Sequence, residues 1–172
     1  PGAFVDGEWK TERQWRNTDG RFVRSTTSFR DWISAYGSSG FPAEADRYYL
    51  YVAWACPWAQ RTAIMRTLKG LEDAIGLSAV GSFLGEDGWA FYDEPGVIPD
   101  TVNGANYLRE IYAKAASDYT GRVTTPILWD KETGTIVNNE SREIVRMLDT
   151  EFAEFATTVA DFFPEDLRDD ID

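Results

Sequence analysis

The fold is decided by the stretch Tyr49-Leu50-Tyr51-Val52-Ala53-Trp54-Ala55-Cys56-Pro57-Trp58-Ala59-Gln60-Arg61, which contains the only cysteine of the chain. The residues before Cys56 are apolar and aromatic, as in a buried strand. The residues after it have apolar positions at helical spacing, namely Ala59, Ala63, Ile64 and Leu68. Pro57 suits the first turn of a helix, where its missing N–H costs nothing. The pattern predicts a strand over residues 48–53 and a helix over residues 57–70.

Cys56 stands at the start of this helix, and its position predicts a reactive thiol. Unpaired backbone N–H groups and the positive end of the helix dipole both favour a thiolate there. The alternative is a small buried hydrophobic residue, a common role for a lone cysteine. Because strand, Cys-Pro and helix together place the thiol at a sheet edge, we favour the reactive interpretation. Position 59 is Ala59, so a C-x-x-C pair is absent and any disulfide of Cys56 needs an outside thiol.

The net charge excludes one class of partner. The 172 residues include 29 acidic and 17 basic side chains, which gives a net charge of −12. Nucleic acid is a poor partner for such a surface. The scarcity of lysine beside so many carboxylates also suggests a protein adapted to high salt, against the alternative of an ordinary soluble acidic protein.

Length and hydropathy predict a globular protein of one domain or slightly more. No apolar run has the length that spans a bilayer, so we expect no membrane partner. The start Pro1-Gly2-Ala3-Phe4 lacks the layout of a signal peptide. A single cysteine cannot form an internal disulfide, which suits a reducing compartment. These observations predict a cytoplasmic location.

Along the chain, the pattern divides into three parts. Residues 1–46 are predicted to form an extension in which aromatic residues are scattered among charges and glycines. Residues 47–150 alternate strand and helix, and residues 151–172 form a tail that breaks at Pro164. In the tail, four apolar residues have helical spacing: Phe152, Phe155, Val159 and Phe162.

The middle part begins with strand, helix and strand over residues 48–53, 57–70 and 75–80, which predicts parallel pairing and a right-handed crossover. A long loop over residues 81–103 follows, and long loops are often functional. Within it, Trp89 is either a ligand contact or a hydrophobic plug that holds the loop down. A second helix is predicted over residues 105–117.

The end of the middle part predicts a hairpin and a third helix. The strands of the hairpin cover residues 127–130 and 135–138, with a turn around Gly134. Asn139 is the predicted cap of the third helix, and Glu140 and Ser141 lie in its first turn. From the residues alone, Glu140 and Ser141 could simply be a well-formed helix start.

Four separated motifs occur in order: residues 51–62 around Cys56, Asp87-Gly88-Trp89, Gly121-Arg122-Val123-Thr124-Thr125-Pro126-Ile127-Leu128-Trp129-Asp130-Lys131, and Asn138-Asn139-Glu140-Ser141. Together they span most of the chain. In these motifs the chain resembles the glutathionyl-hydroquinone reductases, also called Xi-class glutathione transferases. It departs from the family pattern at Gln60, where His is usual, and at Thr125, where Val is usual.

The resemblance implies an α/β thioredoxin-like fold with a mixed four-stranded sheet, flanking helices and an N-terminal extension. It implies a cis bond before Pro126, with the backbone of Thr125 binding the cysteinyl part of glutathione. Recognition through the backbone explains how Val and Thr125 interchange. The carboxylate and ammonium of a γ-glutamyl group suit Ser141 at a helix N-terminus and Glu140, respectively.

By family position, Arg122 would bind the far carboxylate of glutathione, and Trp89 would also contact it. The alternative for Arg122 is a solvated surface residue. The resemblance makes glutathione the co-substrate, with no metal. If the source is a salt-adapted archaeon, γ-glutamylcysteine is the alternative thiol, and it would leave Arg122 less to hold.

The expected function is removal of glutathione from a glutathionyl-hydroquinone by Cys56 through a mixed disulfide. An enzyme alternative is a general glutathione transferase or glutaredoxin-like deglutathionylase, and a non-enzymatic alternative is a thiol-binding module with an inert Cys56. In the family, a sequence similar to residues 163–168 links to an all-helical C-terminal domain. We expect that domain to be absent from this chain. With that domain present, the family resemblance implies a homodimer.

Overall fold

The computed structural model describes residues 2–11 and 26–172. Its strands, in chain order, are β1 (Ala3–Val5), β2 (Glu8–Lys10), β3 (Ile33–Ser34), β4 (Phe41–Pro42), β5 (Tyr48–Ala53), β6 (Gly76–Val80), β7 (Ile127–Asp130) and β8 (Thr135–Asn138). Its α-helices are α1 (Pro57–Leu68), α2 (Leu108–Ala115), α3 (Ser141–Thr150) and α4 (Arg168–Ile171), and a 3₁₀ turn covers Glu165–Leu167.

The central sheet has four strands in the order β6-β5-β7-β8. Strand β5 pairs parallel with β6, through helix α1 as the crossover, and antiparallel with β7. Strand β7 pairs antiparallel with β8 in the predicted hairpin. Every residue of β5 is buried, which agrees with its position between two neighbours inside the sheet.

The two faces of this sheet carry separate hydrophobic cores. Successive residues of a strand point to opposite faces, and β5 follows this rule. Its residues Tyr48, Leu50 and Val52 join a core with α1 and α3. Its residues Tyr49, Tyr51 and Ala53 join a core with α2. Helices on both faces of a mixed four-stranded sheet form the thioredoxin-like arrangement, so the predicted fold is confirmed.

The predicted helices are present with shifted ends. Helix α1 begins at Pro57 as predicted but ends at Leu68 rather than at residue 70. Helix α2 covers Leu108–Ala115 instead of residues 105–117. It begins later because the Glu110 side chain accepts hydrogen bonds from the N–H groups of Asn106 and Tyr107, which fixes the helix start at Tyr107.

The described part of the N-terminal extension lies against the sheet domain. Strands β1 and β2 form a hairpin, and Phe4 exchanges two backbone hydrogen bonds with Gly121. Residues 29–31 run beside β8, and Ile33 is fully buried in the core of α1 and α3. Of the scattered aromatic residues in the predicted extension, Trp15 and Phe22 lie outside the described residues.

The tail after α3 does not form the helix that the spacing of its apolar residues suggests. Residues 151–163 form turns and bends, with Phe152 fully buried and Val159 fully exposed. The reason is a polar anchor: the ammonium of Lys69 bonds the Asp149 carboxylate at 2.9 Å and the carbonyl of Ala160. This buried pair folds the tail back over the end of α1. Within the described ranges, no helix combines the length and apolarity that crossing a membrane requires.

Candidate functional site

Cys56 is the N-cap residue of α1, directly before Pro57 in the first turn. Its side chain makes no capping hydrogen bond, so the thiol does not satisfy the helix N–H groups itself. Cys56 is partly exposed and packs against the edges of both cores. The sulfur is therefore held at the end of the sheet, and side chains do not enclose it.

The Thr125–Pro126 segment lies beside this sulfur. The peptide bond between the two residues is cis, as the family resemblance implies. The Cys56 thiol donates to the Thr125 carbonyl at 3.8 Å. The Thr125 hydroxyl is buried, and no described residue forms a hydrogen bond with it. The Cys56 sulfur and the backbone of Thr125 are therefore direct neighbours.

A cleft of about 420 Å³ opens next to Thr125 and Pro126. Five of the seven predicted site residues line it: Arg122, Thr125, Pro126, Glu140 and Ser141. Cys56 borders the cleft through its contact with Thr125, and its neighbour Trp58 is a lining residue. Among the described lining residues, the charged side chains are Arg61, Arg122 and Glu140.

One end of the cleft is the start of α3, which we call the α3 end. Here Arg61 of α1 donates from Nε and Nη2 to the Ser141 hydroxyl at 3.0 and 2.6 Å. The Arg61 guanidinium also lies 3.9 Å from the Glu140 carboxylate. Thr27 of the extension donates to Glu140 at 3.4 Å. The α3 end therefore combines a cation, an anion, hydroxyls and a helix N-terminus.

The prediction that Asn139 caps α3 is wrong. Glu140 is the N-cap residue, and its carboxylate accepts from the Arg142 N–H. Asn139 is buried one residue earlier, where its amide donates to the Tyr112 hydroxyl at 2.9 Å and accepts from the Phe29 N–H at 3.3 Å. Because its side chain is bonded to Tyr112 of α2 and Phe29 of the extension, Asn139 is not available to cap α3.

The Tyr112 hydroxyl ties this network to the strand end. It donates to the Thr124 carbonyl at 3.1 Å, directly before the Thr125–Pro126 pair. Burial raises the pKa of Tyr112, although hydrogen bonds from Asn139 and Thr124 partly oppose that rise. Tyr112 is therefore a neutral brace that holds residues 124–126 and the start of α3 in one geometry.

The opposite end of the cleft is the segment of Gly121 and Arg122, which we call the Arg122 end. The Tyr119 hydroxyl donates to the Arg122 carbonyl at 2.8 Å, and burial raises the pKa of Tyr119 to about 12. Gly121 pairs with Phe4 of the extension through both backbone groups. Within the described residues, no carboxylate lies within ion-pairing distance of Arg122.

Trp89, the remaining predicted contact, does not line this cleft. It is half-buried and packs against the core of α2. Its carbonyl accepts from the Leu108 N–H at 2.9 Å, which fastens the long loop to the start of α2. The structure thus gives Trp89 the position of a plug for the loop, and its contact with a ligand stays a prediction.

Sequence reasoning missed several lining residues. Arg61 lay in the decisive motif but received no role, although it follows Pro57 by four residues and so shares its helix face. The extension contributes Thr26, Thr27 and Ser28, for which the sequence has no periodic signal. Trp58 and Tyr119 also line the cleft. In the described part of the chain, His, Cys, Asp and Glu form no group that could hold a metal.

Comparison with known proteins relates this chain to the glutathione transferases. A family model described as glutathione S-transferase, N-terminal domain, matches residues 55–151. The glutathionyl-hydroquinone reductase PcpF of Sphingobium chlorophenolicum is 45% identical over 174 residues, which cover 99% of this chain and 54% of that protein. The glutathionyl-hydroquinone reductase YqjG of Escherichia coli is 46% identical over 179 residues, with 99% and 55% coverage.

Solved structures show the same fold. The Xi class GST from Natrialba magadii superposes with a TM-score of 0.88 at 50% identity, over 98% of this chain and 50% of that one. The glutathione-bound structure of Escherichia coli YqjG superposes with a TM-score of 0.85 at 42% identity, over 99% and 52%.

The chain spans about half the length of the curated relatives it matches. The family-model match includes Cys56 and the start of α1, the segment before Pro126 and the start of α3. The chain is similar to two glutathionyl-hydroquinone reductases and to a Xi class GST, and the family model shows that it belongs to the glutathione S-transferases through their N-terminal domain.

Proposed function

We propose that this chain is the glutathione-binding part of a reductase that removes glutathione from glutathionyl-hydroquinones through Cys56. The observation that carries the proposal is the position of the sulfur: it caps α1 and contacts the Thr125 carbonyl beside a polar cleft. The names of the relatives PcpF and YqjG support the same substrate class.

The charges of the cleft support glutathione as the thiol. Its described lining residues carry two guanidinium groups and one carboxylate, namely Arg61, Arg122 and Glu140. Glutathione carries two carboxylates and one ammonium, so the signs are complementary. One similar structure, that of Escherichia coli YqjG, contains bound glutathione. The segment of Thr125 and Pro126 is proposed to bind the cysteinyl backbone between the two charged ends.

The proposed reaction has two steps. In the first, the Cys56 thiolate attacks the thioether sulfur of the conjugate, a sulfur–sulfur bond forms and the carbon–sulfur bond breaks. The ring carbon keeps the electron pair and takes a proton, so the ring is reduced while the two sulfurs are oxidised. In the second, the thiolate of another glutathione attacks the glutathione sulfur, and Cys56 leaves as a thiolate. The products are hydroquinone and glutathione disulfide.

The decisive experiment compares two substrates with the full chain. One is a synthetic glutathionyl-hydroquinone and the other is a glutathionylated peptide, each supplied with free glutathione. We expect hydroquinone release that disappears in Cys56→Ser. Activity on the peptide alone would replace the quinol assignment by a general deglutathionylase. Inactivity on both, together with a Cys56 that resists alkylation, would indicate a binding module instead.

The proposal includes three finer predictions. The co-substrate is glutathione, and a parallel assay with γ-glutamylcysteine tests the alternative thiol. The complete protein is a cytoplasmic homodimer, which light scattering and fractionation of the source cells would check. The acidic surface is adapted to salt, so thermal stability should rise from low to molar KCl; a chain that is fully stable without salt would contradict that adaptation.

A further inference from the structure

Arg61 occupies a position that the proposed reaction does not explain. It lies in the second turn of α1, and its side chain is 41% exposed at the cleft. Its guanidinium lies over the Trp58 ring at 5.3 Å from the ring centroid. Two of its nitrogens donate to a single acceptor, the Ser141 hydroxyl, which is itself buried. The group is therefore oriented by its neighbours.

These contacts do not use the full binding capacity of Arg61. A guanidinium has five N–H donors and prefers planar acceptors with two oxygens. Ser141 provides one oxygen, and the nearest carboxylate contact among the described residues is with Glu140 at 3.9 Å. Both side chains of that pair are about one-third or more exposed, at 41% and 32%. An exposed ion pair of this kind contributes little to stability, so Glu140 can exchange Arg61 for a ligand group at little cost.

Arg61 and Glu140 present a cation and an anion 3.9 Å apart, as the binding of a zwitterion requires. A γ-glutamyl group bears a carboxylate and an ammonium on the same carbon atom. Arg61 with the Ser141 hydroxyl and the start of α3 matches the carboxylate, and Glu140 beside them matches the ammonium. When the ligand enters, each protein charge exchanges a weak partner for a strong one, and no charge is left unpaired.

We infer that Arg61 binds the α-carboxylate of the γ-glutamyl group, together with Ser141, and so selects thiols that carry this group. The inference rests on the proposed function, because it assigns a further contact within the same cleft. Arg122 then serves the carboxylate at the opposite end of the ligand. The two arginines divide the two carboxylates of glutathione between them.

The test measures binding of three unreactive ligands by calorimetry. S-methylglutathione carries both groups, its 4-aminobutyryl analogue lacks only the α-carboxylate, and its glutaryl analogue lacks only the ammonium. The proteins are the wild type, Arg61→Gln, Arg61→Lys and the control Arg146→Gln. Arg146 lies on α3, and its side chain contacts Asp172 and Phe163 away from the cleft.

We expect the wild type to bind the aminobutyryl analogue about tenfold or more weaker than S-methylglutathione, the scale of a hydrogen bond to a charged group. Arg61→Gln should weaken S-methylglutathione by a similar factor and the aminobutyryl analogue by less than about threefold. Arg61→Lys should recover part of the loss, and Arg146→Gln should resemble the wild type.

Equal weakening of both ligands by Arg61→Gln would overturn the inference. So would equal binding of both ligands by the wild type, a result that does not depend on how well any variant folds. The coupling between Arg61 and the α-carboxylate is the extra weakening that Arg61→Gln causes for S-methylglutathione relative to the aminobutyryl analogue. If S-methylglutathione binds but this coupling is absent, the Arg61 inference fails alone. If the coupling is present but quinol conjugates are not reduced, the proposed reaction fails alone. A wild type that binds none of the ligands overturns both.

Discussion

The two ends of the cleft are built differently. The α3 end is assembled from α1, α3 and the extension, and its polar groups already bond one another: Arg61 to Ser141, Thr27 to Glu140 and Asn139 to Tyr112. At the Arg122 end, the backbone is fixed by Phe4 and Tyr119, but the Arg122 side chain has no described carboxylate partner. The α3 end is therefore preorganised, and its mutations should affect both folding and binding. Substitution of the Arg122 side chain should mainly affect binding.

The largest effect should follow from Asn139→Ala at the α3 end. The variant removes a buried amide and leaves the Phe29 N–H without its side-chain acceptor. We expect the free energy of unfolding to fall by about 2–3 kcal/mol, since a buried group that loses its partner retains its desolvation cost. Denaturant titration measures this change.

Asn106→Ala is the matched control, because Asn106 is exposed and its side chain forms no described hydrogen bond. It should change the free energy of unfolding by less than about 0.5 kcal/mol. Equal effects of the two alanine substitutions would contradict a preorganised α3 end.

The second effect is at the Arg122 end and concerns the backbone. Gly121 has a φ of +152°, and a Cβ there would meet the Tyr119 hydroxyl at 2.5 Å. Gly121→Ala should therefore cost about 1–3 kcal/mol and displace Arg122. Gly104→Ala is the control, because Gly104 also has a positive φ but open space around it. A smaller loss in Gly121→Ala than in Gly104→Ala would show that the Tyr119 contact does not constrain the segment.

The third effect tests how the extension is fastened to the α3 end. Arg30 donates to Glu143 of α3 from Nε at 2.8 Å and also from Nη2. This hydrogen bonding lowers the pKa of Glu143 below its usual value of 4.5, although partial burial opposes it. A lowered carboxyl pKa means that the folded state binds its proton more weakly than the unfolded state does. The stabilisation of the folded state by the Arg30–Glu143 interaction is therefore complete above pH 4.5, and it is lost as the pH falls through the lowered pKa of Glu143.

Glu143→Gln should accordingly reduce the free energy of unfolding by about 1 kcal/mol at pH 7. The difference from the wild type should shrink as the pH falls below 4.5. Urea titrations at several pH values measure both quantities. A difference that stays constant down to the acid limit would contradict a charged clamp between the extension and α3.

The smallest effect should follow from Arg122→Ala. We expect unchanged stability and about two- to fivefold weaker binding of glutathione, the scale of one exposed charge-assisted contact. Binding of γ-glutamylcysteine should change less, because that thiol lacks the glycine carboxylate. Arg122→Lys is the control and should retain part of the preference. If Arg122→Ala weakened both thiols equally, the assignment of Arg122 to the glycine end would be wrong.

The sequence predicted the sheet domain because local patterns define it. Strands β5, β7 and β8 were predicted at their observed bounds, and α1 begins at Pro57 as expected. The apolar alternation and the Cys-Pro junction depend on near neighbours in the chain. Such local patterns can be recognised in a single sequence.

What the sequence could not predict depends on distant contacts. Asn139 is engaged by Tyr112 and Phe29, which are 27 and 110 residues away, and so it does not cap α3. The tail is held by Lys69, which bonds the carbonyl of Ala160 from 91 residues earlier in the chain, and therefore does not form the helix that its apolar spacing suggests. The hydrogen bond from Arg61 to Ser141 likewise joins residues that are 80 positions apart, on α1 and α3.

The central claim is that Cys56 takes glutathione from a quinol conjugate. The most direct measurement is intact-mass spectrometry of the chain after brief exposure to a glutathionyl-hydroquinone without free glutathione. We predict a single glutathione adduct on Cys56, released by a reductant, with one equivalent of hydroquinone formed and neither product in Cys56→Ser. An unmodified wild-type chain that binds the conjugate, or hydroquinone release that persists in Cys56→Ser, would contradict the account.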